Sequence, residues 1–194
     1  IETAFRMEDK MDRKAGIFLA DGFEEIEALT VVDLLRRAKV YVDTVSITDD
    51  YTVRGAHGIP VQTEDLITEI DFKESDMIVL PGGMPGTTNL KEDENVRKAV
   101  QEAYDDGRYV AAICAAPTIL ADMGLLKGKR ATCYPDMESE IEDAYLTGAP
   151  VATDENIITS QGVGTAIDFA LKLIEVLISE EKAVEIADSI VYQR

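Results

Sequence analysis

Histidine is nearly absent from this chain. His57 is the only one among 194 residues, and it lies in the glycine-flanked segment Gly55-Ala-His-Gly58. Cysteine peptidases and glutamine amidotransferases use a histidine as general base beside the thiol. Nothing in the sequence puts His57 beside a cysteine, and a surface turn is the plainer reading of it. Cysteine is scarce too: Cys114 and Cys133 are too few for a disulfide framework, which points to a reducing cytoplasm. No Cys/His cluster has zinc-like spacing, so neither a metal site nor a cofactor is expected. Basic residues are outnumbered, 19 against 38 acidic, for a net charge of −19. Such a chain repels nucleic-acid phosphates and anionic bilayers, and the surplus reads as a solvated acidic surface. No apolar run reaches the roughly 18 residues of a membrane-spanning helix. Repeats, low-complexity tracts and linkers are missing as well, so a single domain over 14–194 is expected. The polar stretch Ile1–Arg13 lacks the apolar segment of a signal peptide and reads as a leader or tag-like extension.

What is present is alternation. Strand patterns at Lys14–Ala20, Val40–Ile47, Asp76–Leu80, Tyr109–Ile113 and Arg130–Cys133 interleave with helix patterns at Glu24–Ala38, Glu94–Asp106, Ala115–Met123 and Pro135–Ala144. Tyr51–Gln62 reads as a turn-rich or hairpin segment. Val151–Thr153 and Ile157–Thr159 pair around Asp154-Glu-Asn156, and helices over Thr165–Ile178 and Glu180–Ile190 close the chain. Such βαβ alternation predicts a mostly parallel sheet covered on both faces.

Cys114 carries the most chemical information. The apolar run Val110–Ile113 ends at it, and Pro117 suits the first turn of a following helix. Cys114 therefore falls at a sharp strand-to-helix turn, the geometry of a nucleophile elbow, and a positive φ is expected there. The flanking alanines leave room for a crowded backbone. A helix N-terminus also biases a thiol toward thiolate. The alternative is a buried core cysteine.

In parallel α/β sheets the functional crevice lies at the carboxyl ends of the strands. Two other segments end strands in unusual ways: Leu19-Ala-Asp-Gly-Phe-Glu-Glu-Ile-Glu27 and Val79-Leu-Pro-Gly-Gly-Met-Pro-Gly86. Glu27 shares a helix face with Val31, Leu34 and Ala38, so it heads an apolar stripe. There it would be desolvated and able to share one proton with Cys114; the alternative is a solvated helix-start glutamate. Glu24 and Glu25 read as exposed first-turn acids, and Asp21 with Glu24 as a capping box. An N–H of Gly83 with that of Ala115 could form an oxyanion hole, or Pro81-Gly82-Gly83 is only a tight turn. Gln161-Gly-Val-Gly-Thr165 lacks phosphate-binding spacing, and Thr165 with Asp168 reads as a capping box.

At these residues the chain resembles the ThiJ/PfpI superfamily, in its Parkinson-disease-associated deglycase branch. The resemblance rests on Gly22-Phe-Glu-Glu-Ile-Glu27, Val79-Leu-Pro-Gly-Gly83, Ala111-Ala-Ile-Cys-Ala-Ala-Pro117 and Thr159-Ser-Gln-Gly-Val-Gly-Thr165 with Asp168-Phe-Ala-Leu171. It implies a flavodoxin-like (class I glutamine amidotransferase-like) three-layer α/β sandwich and a homodimer. It implies an oxidation-prone Cys114, a hydrogen-bonding acid at Glu27 and an oxyanion-type amide at Gly83. The activities it implies are glyoxalase or deglycase action on small aldehydes or glycated substrates, redox sensing or chaperoning, and, in the PfpI branch, amidase or peptidase action. Tyr134, in Cys133-Tyr-Pro135, occupies the place where many members carry a histidine beside the cysteine. That departure weakens the peptidase reading and leaves Tyr134 as an orienting group near Cys114. Cys133 reads as a buried strand-end thiol, or as a second thiol near the first. The resemblance also places the His57-Gly58 segment at the dimer interface, where His57 would approach the partner's cleft.

Overall fold

In the computed structural model, which describes residues 12–193, the apolar runs become the central strands of one seven-stranded sheet. The chain runs β1 (Lys14–Leu19), α1 (Glu25–Arg37), β2 (Tyr41–Ser46), β3 (Thr52–Arg54), β4 (Pro60–Gln62), β5 (Asp65–Leu66), β6 (Met77–Leu80), α2 (Gly86–Glu92), α3 (Glu94–Asp105) and β7 (Tyr109–Ile113). It continues through α4 (Pro117–Asp122), β8 (Arg130–Ala131), β9 (Tyr145–Leu146), β10 (Val151–Asp154), β11 (Ile157–Ser160), α5 (Ala166–Leu177) and α6 (Glu180–Ser189). The sheet order is β10-β11-β7-β6-β1-β2-β5. All its neighbours are parallel except β10 and β11, which pair antiparallel around Glu155 and Asn156.

Every residue of β6 is buried, as are four of the five in β7. Side chains alternate between faces, so continuous apolar runs are stable only where both faces are covered. Leu19, Val31, Leu35, Ile113, Phe169 and Ile174 pack on one face, with α1, α5 and α6. Phe18, Leu80, Leu90, Val100, Ile119 and Leu126 pack on the other, with α2, α3 and α4. This is the expected α/β three-layer sandwich. Truncating a fully buried Leu35 or Ile119 to alanine would cost about 2–5 kcal/mol.

Several local expectations are corrected. Glu24 and Glu25 are buried, not exposed. The cap of α1 is Glu24 itself, whose Oε2 accepts the Glu27 N–H at 2.8 Å. Asp21 instead accepts the Arg54 N–H at 2.9 Å, tying the strand-end loop to β3. Thr165 makes no capping box with Asp168. Its hydroxyl accepts the Gly162 N–H and bonds Ser160 Oγ, while Asp168 accepts from the Tyr192 hydroxyl. The expected helix over 135–144 is a 3₁₀ turn at Pro135–Glu140, and the strand before it stops at Ala131. Of the expected extension over 1–13, residues 1–11 lie outside the described residues. Arg13 belongs to the fold: its carbonyl accepts the Tyr41 N–H, and its guanidinium pairs with Asp76.

Candidate functional site

β7 delivers Cys114 to the edge where β1 and β6 also end. Its N–H donates to the Ser160 carbonyl at the end of β11, at 3.0 Å, and its carbonyl accepts the Tyr134 N–H at 2.8 Å. Between these anchors Cys114 takes φ = 65°, as the elbow requires. A non-glycine residue there stores about 1–3 kcal/mol of strain, which only an over-determined surrounding maintains. Ala115 and Ala116 beneath it are buried, and Pro117 opens α4. Gly82 makes the approach possible: a Cβ there would lie 2.7 Å from both Cys114 Cβ and Glu27 Oε2.

Glu27 is wholly buried, with no exposed surface, so it is not a solvated helix-start acid. Its Oε2 accepts the Gly82 N–H at 2.8 Å. Its Oε1 has no hydrogen-bond partner among the described residues, and the carboxyl as a whole interacts with the Cys114 thiol. Burial pushes the Glu27 carboxyl up to about 7, against the opposing pull of Cys114 and the Gly82 amide. Burial, then the charge of Glu27, pushes the Cys114 thiol up to about 12. The N–H groups of Ala115 and Gly83 pull the other way, toward thiolate, but do not prevail, so the thiolate bias expected of a helix start is overridden. Two buried acids in contact titrate as one unit. Over a wide pH range the pair holds one proton. With it on sulfur, Glu27 is a buried carboxylate; with it on Glu27, a thiolate faces two backbone amides.

These groups open on a cleft of about 360 Å³ lined also by Glu24, Tyr134, Gln161, Gly162 and Thr165. Tyr134 lines it and is 44% exposed as a residue. A Cβ on Gly162 would sit 3.7 Å from the Tyr134 ring, 3.9 Å from Cys114 Sγ and 4.0 Å from Glu27 Oε1. Gly162 is therefore the floor above both acids. Cys133 is elsewhere. It is fully buried among the apolar residues on the α2–α4 face and donates to the Tyr134 carbonyl at 3.3 Å. Burial pushes its thiol up to about 11. His57 does not reach Cys114 of its own chain. Its N–H and Nδ1 each lie 2.7 Å from a Glu25 oxygen, and Nδ1 lies 3.8 Å from Glu24 Oε1. Glu24, Glu25 and His57 bring one donor atom each within 4.8 Å of one another, but both Glu25 oxygens are engaged by His57.

Glu24, Gly82 and Gly162 escape the sequence reading as site residues. The rule that found the other loops would have found the last: Gln161–Thr165 also follows a parallel strand, β11. Glu24 is hidden because a first-turn glutamate is normally solvated.

A mostly parallel α/β sandwich with a strained cysteine at a strand–helix elbow and a buried carboxyl beside it defines a class of cysteine-centred α/β proteins. Within that class, the model of the DJ-1/PfpI family matches residues 13–176, and the chain belongs to that family. It is 39% identical over 181 residues to Protein DJ-1 homolog B of Arabidopsis thaliana, across 92% of this chain but 41% of that protein; the chain thus spans under half of that relative. It is 33% identical over 180 residues to the glutathione-independent glyoxalase DJ-1 of Schizosaccharomyces pombe, across 87% of this chain and 93% of that protein. The crystal structure of Drosophila melanogaster DJ-1beta superposes with a TM-score of 0.91 at 34% identity, across 95% of this chain and all of that one.

Proposed function

We propose that the chain is a cofactor-independent cysteine enzyme acting on small reactive carbonyls, in the manner of a glutathione-independent glyoxalase or deglycase. The observation that carries this reading is the Cys114–Glu27 pair. It places a nucleophile and a proton-holding acid in one cleft, with no histidine beside the thiol. Cys114 Sγ adds to the aldehyde carbon, and the pair's single proton passes to the carbonyl oxygen, giving a hemithioacetal. The N–H groups of Gly83 and Ala115, which already face the sulfur, steady the developing oxyanion. Tyr134 orients the carbonyl or a water. The name of the Schizosaccharomyces pombe relative supports this reaction class. The test is lactate formation from methylglyoxal without glutathione, abolished in Cys114→Ser. Lactate from the wild type that persists in Cys114→Ser would sink the cysteine mechanism, and no product at all would sink the enzyme reading.

A second reading is a redox sensor of the cytoplasm, favoured by the same amides, which would hold a sulfinate on Cys114 as readily as an oxyanion. Amide or peptide hydrolysis is the weakest reading, because the group beside Cys114 is Tyr134 and the one histidine sits on Glu25. The reading includes a homodimer. Ile26 and Leu29 on α1, and Ile59 whose N–H bonds Glu25, form an exposed apolar face beside His57.

A further inference from the structure

Methylglyoxal is small for this cleft. At about 360 Å³ the cleft lies within the range of about 300–1,000 Å³ that encloses drug-sized ligands, well beyond what a methyl substituent occupies. The lining of the remaining space decides which substituent an oxoaldehyde can carry there.

One wall is aromatic and apolar. Tyr134, Pro135 and Val163 line the cleft, and Tyr134 and Val163 are 44% and 42% exposed, so both keep surface for a ligand to cover. Tyr134 is fixed by its backbone. Its N–H donates to the Cys114 carbonyl at 2.8 Å, and its carbonyl accepts the Met137 N–H at 2.8 Å. Pro135 after it disfavours a helical conformation at this residue. Gly162, whose added Cβ would lie 3.7 Å from the Tyr134 ring and 3.9 Å from Cys114 Sγ, puts no side chain of its own into the space beside them.

No cation answers an anionic substituent. The ionisable side chains lining the cleft are Glu24, Glu27, Cys114 and Tyr134, with no lysine, arginine or histidine among them. The neutral donors are committed. Gln161 Nε2 donates to the Gly148 carbonyl at 3.4 Å, and the Thr165 hydroxyl lies 3.0 Å from the Gly162 carbonyl and 2.7 Å from Ser160 Oγ. The amides of Gly83 and Ala115 face the sulfur and serve the reacting oxygen. With its one proton the Cys114–Glu27 pair still carries a negative charge, in a chain of net charge −19. A carboxylate or phosphate on the substrate would be desolvated there without a partner, and repelled.

We propose that the cleft selects neutral 2-oxoaldehydes with a planar, apolar substituent, which stacks on Tyr134 as the specificity-determining residue, and rejects those with an anionic one. This rests on the glyoxalase reading of the same site, whose chemistry is unchanged. C1 of the hemithioacetal loses its hydrogen as a proton and C2 gains a proton, the oxidation of C1 matching the reduction of C2. Water then cleaves the thioester to the 2-hydroxy acid and frees the thiol.

The test compares kcat/KM for methylglyoxal, phenylglyoxal and para-carboxyphenylglyoxal, which adds only the charge. Each is followed as 2-hydroxy acid formed without glutathione. Wild type should prefer phenylglyoxal to methylglyoxal by about tenfold, mainly through KM. Tyr134→Phe keeps the ring and should keep that ratio, whatever it does to the rate, whereas Tyr134→Ala should bring the ratio to within about twofold of unity. The charge arm needs no variant: phenylglyoxal should exceed its carboxylate by about tenfold at about 0.01 M salt, and by less at about 0.15 M. A phenyl-to-methyl ratio that survives in Tyr134→Ala, or that is lost equally in Tyr134→Phe, overturns the proposal. So does equal use of the carboxylate by wild type. Each of these results leaves the glyoxalase reading standing. A wild-type protein that yields no 2-hydroxy acid from any of the three overturns both.

Discussion

At the scale of single residues, the site is built by refusing solvation to one carboxyl. Glu27 holds its proton to about 7, against an ordinary 4.5. Between those values the unfolded chain has lost this proton and the native protein keeps it. Native Glu27 therefore binds more protons than its unfolded counterpart, and its contribution to stability falls as pH rises, by about 1.4 kcal/mol per pH unit and about 3 kcal/mol across the window. Below pH 4.5 both states are protonated and the contribution is fully present. Glu27→Gln stays neutral and can still accept the Gly82 N–H. Urea unfolding from pH 4.5 to 7.5 should thus show wild type losing stability relative to Glu27→Gln as pH rises; parallel curves would refute a proton held on Glu27. Tyr134 supports a milder expectation. Because it orients rather than transfers, Tyr134→Phe should lower the rate of lactate formation only several-fold, and a complete loss would make the phenol a participant. Glycines separate packing from access. A methyl on Gly162 meets its neighbours at ordinary van der Waals distance, so Gly162→Ala should fold with near-native stability. It should nonetheless slow Cys114 alkylation by narrowing the cleft, and an unchanged alkylation rate would show that reagents enter by another route.

At the scale of elements, the two cysteines differ because they end different strands. Cys114 follows β7 at the crevice edge, and Cys133 follows β8 with its side chain turned into the α2–α4 core. Limiting peroxide should therefore convert Cys114 to sulfinate before Cys133 is touched, as read by peptide mass spectrometry. Sulfinate on Cys133 first would contradict the burial pattern. The elements that place Cys114 were legible because continuous apolar runs ended by glycine, proline or cysteine mark buried parallel strands. β1, β6, β7 and the turn at Cys114 all followed from that pattern. What was not legible lay where tertiary contacts override local pattern. α2 starts within Met84-Pro-Gly86 and lacks a side-chain cap, so no N-terminal signal announces it. β5 and β9 are two residues each, too short to carry a period. Glu24 and Glu25 look like solvated acids in sequence. They are buried because the 55–58 turn folds over them, its Ala56 N–H donating to the Phe23 carbonyl and its His57 N–H to Glu25. That turn is distant in sequence, and no local rule connects it to α1.

At the scale of the whole molecule, charge and apolar surface act in opposite directions on self-association. A net charge of −19 makes two copies repel at long range, and a repulsion of that kind is screened by salt. In the proposed dimer the exposed Ile26, Leu29 and Ile59 would supply the short-range attraction, which ionic strength does not weaken. The proposed dimer should accordingly tighten with salt, unlike a complex held by opposite charges. The Debye length falls from about 30 Å at 0.01 M to about 8 Å at 0.15 M, so most of the change should occur across that range and little beyond it. Sedimentation equilibrium at these two ionic strengths reads the dissociation constant directly. Ile26→Glu places a charge on this exposed apolar surface while leaving the buried side of α1 untouched. It should give a folded monomer at both salt concentrations. His57 adjoins this face, so the same variant also asks whether the partner matters to the site. If His57 serves only its own chain, monomeric Ile26→Glu keeps most of its lactate formation and the same pH profile. If His57 acts across the interface, activity and its dependence on pH are lost together with the dimer. A dimer of undiminished affinity in Ile26→Glu would place the interface on another face altogether.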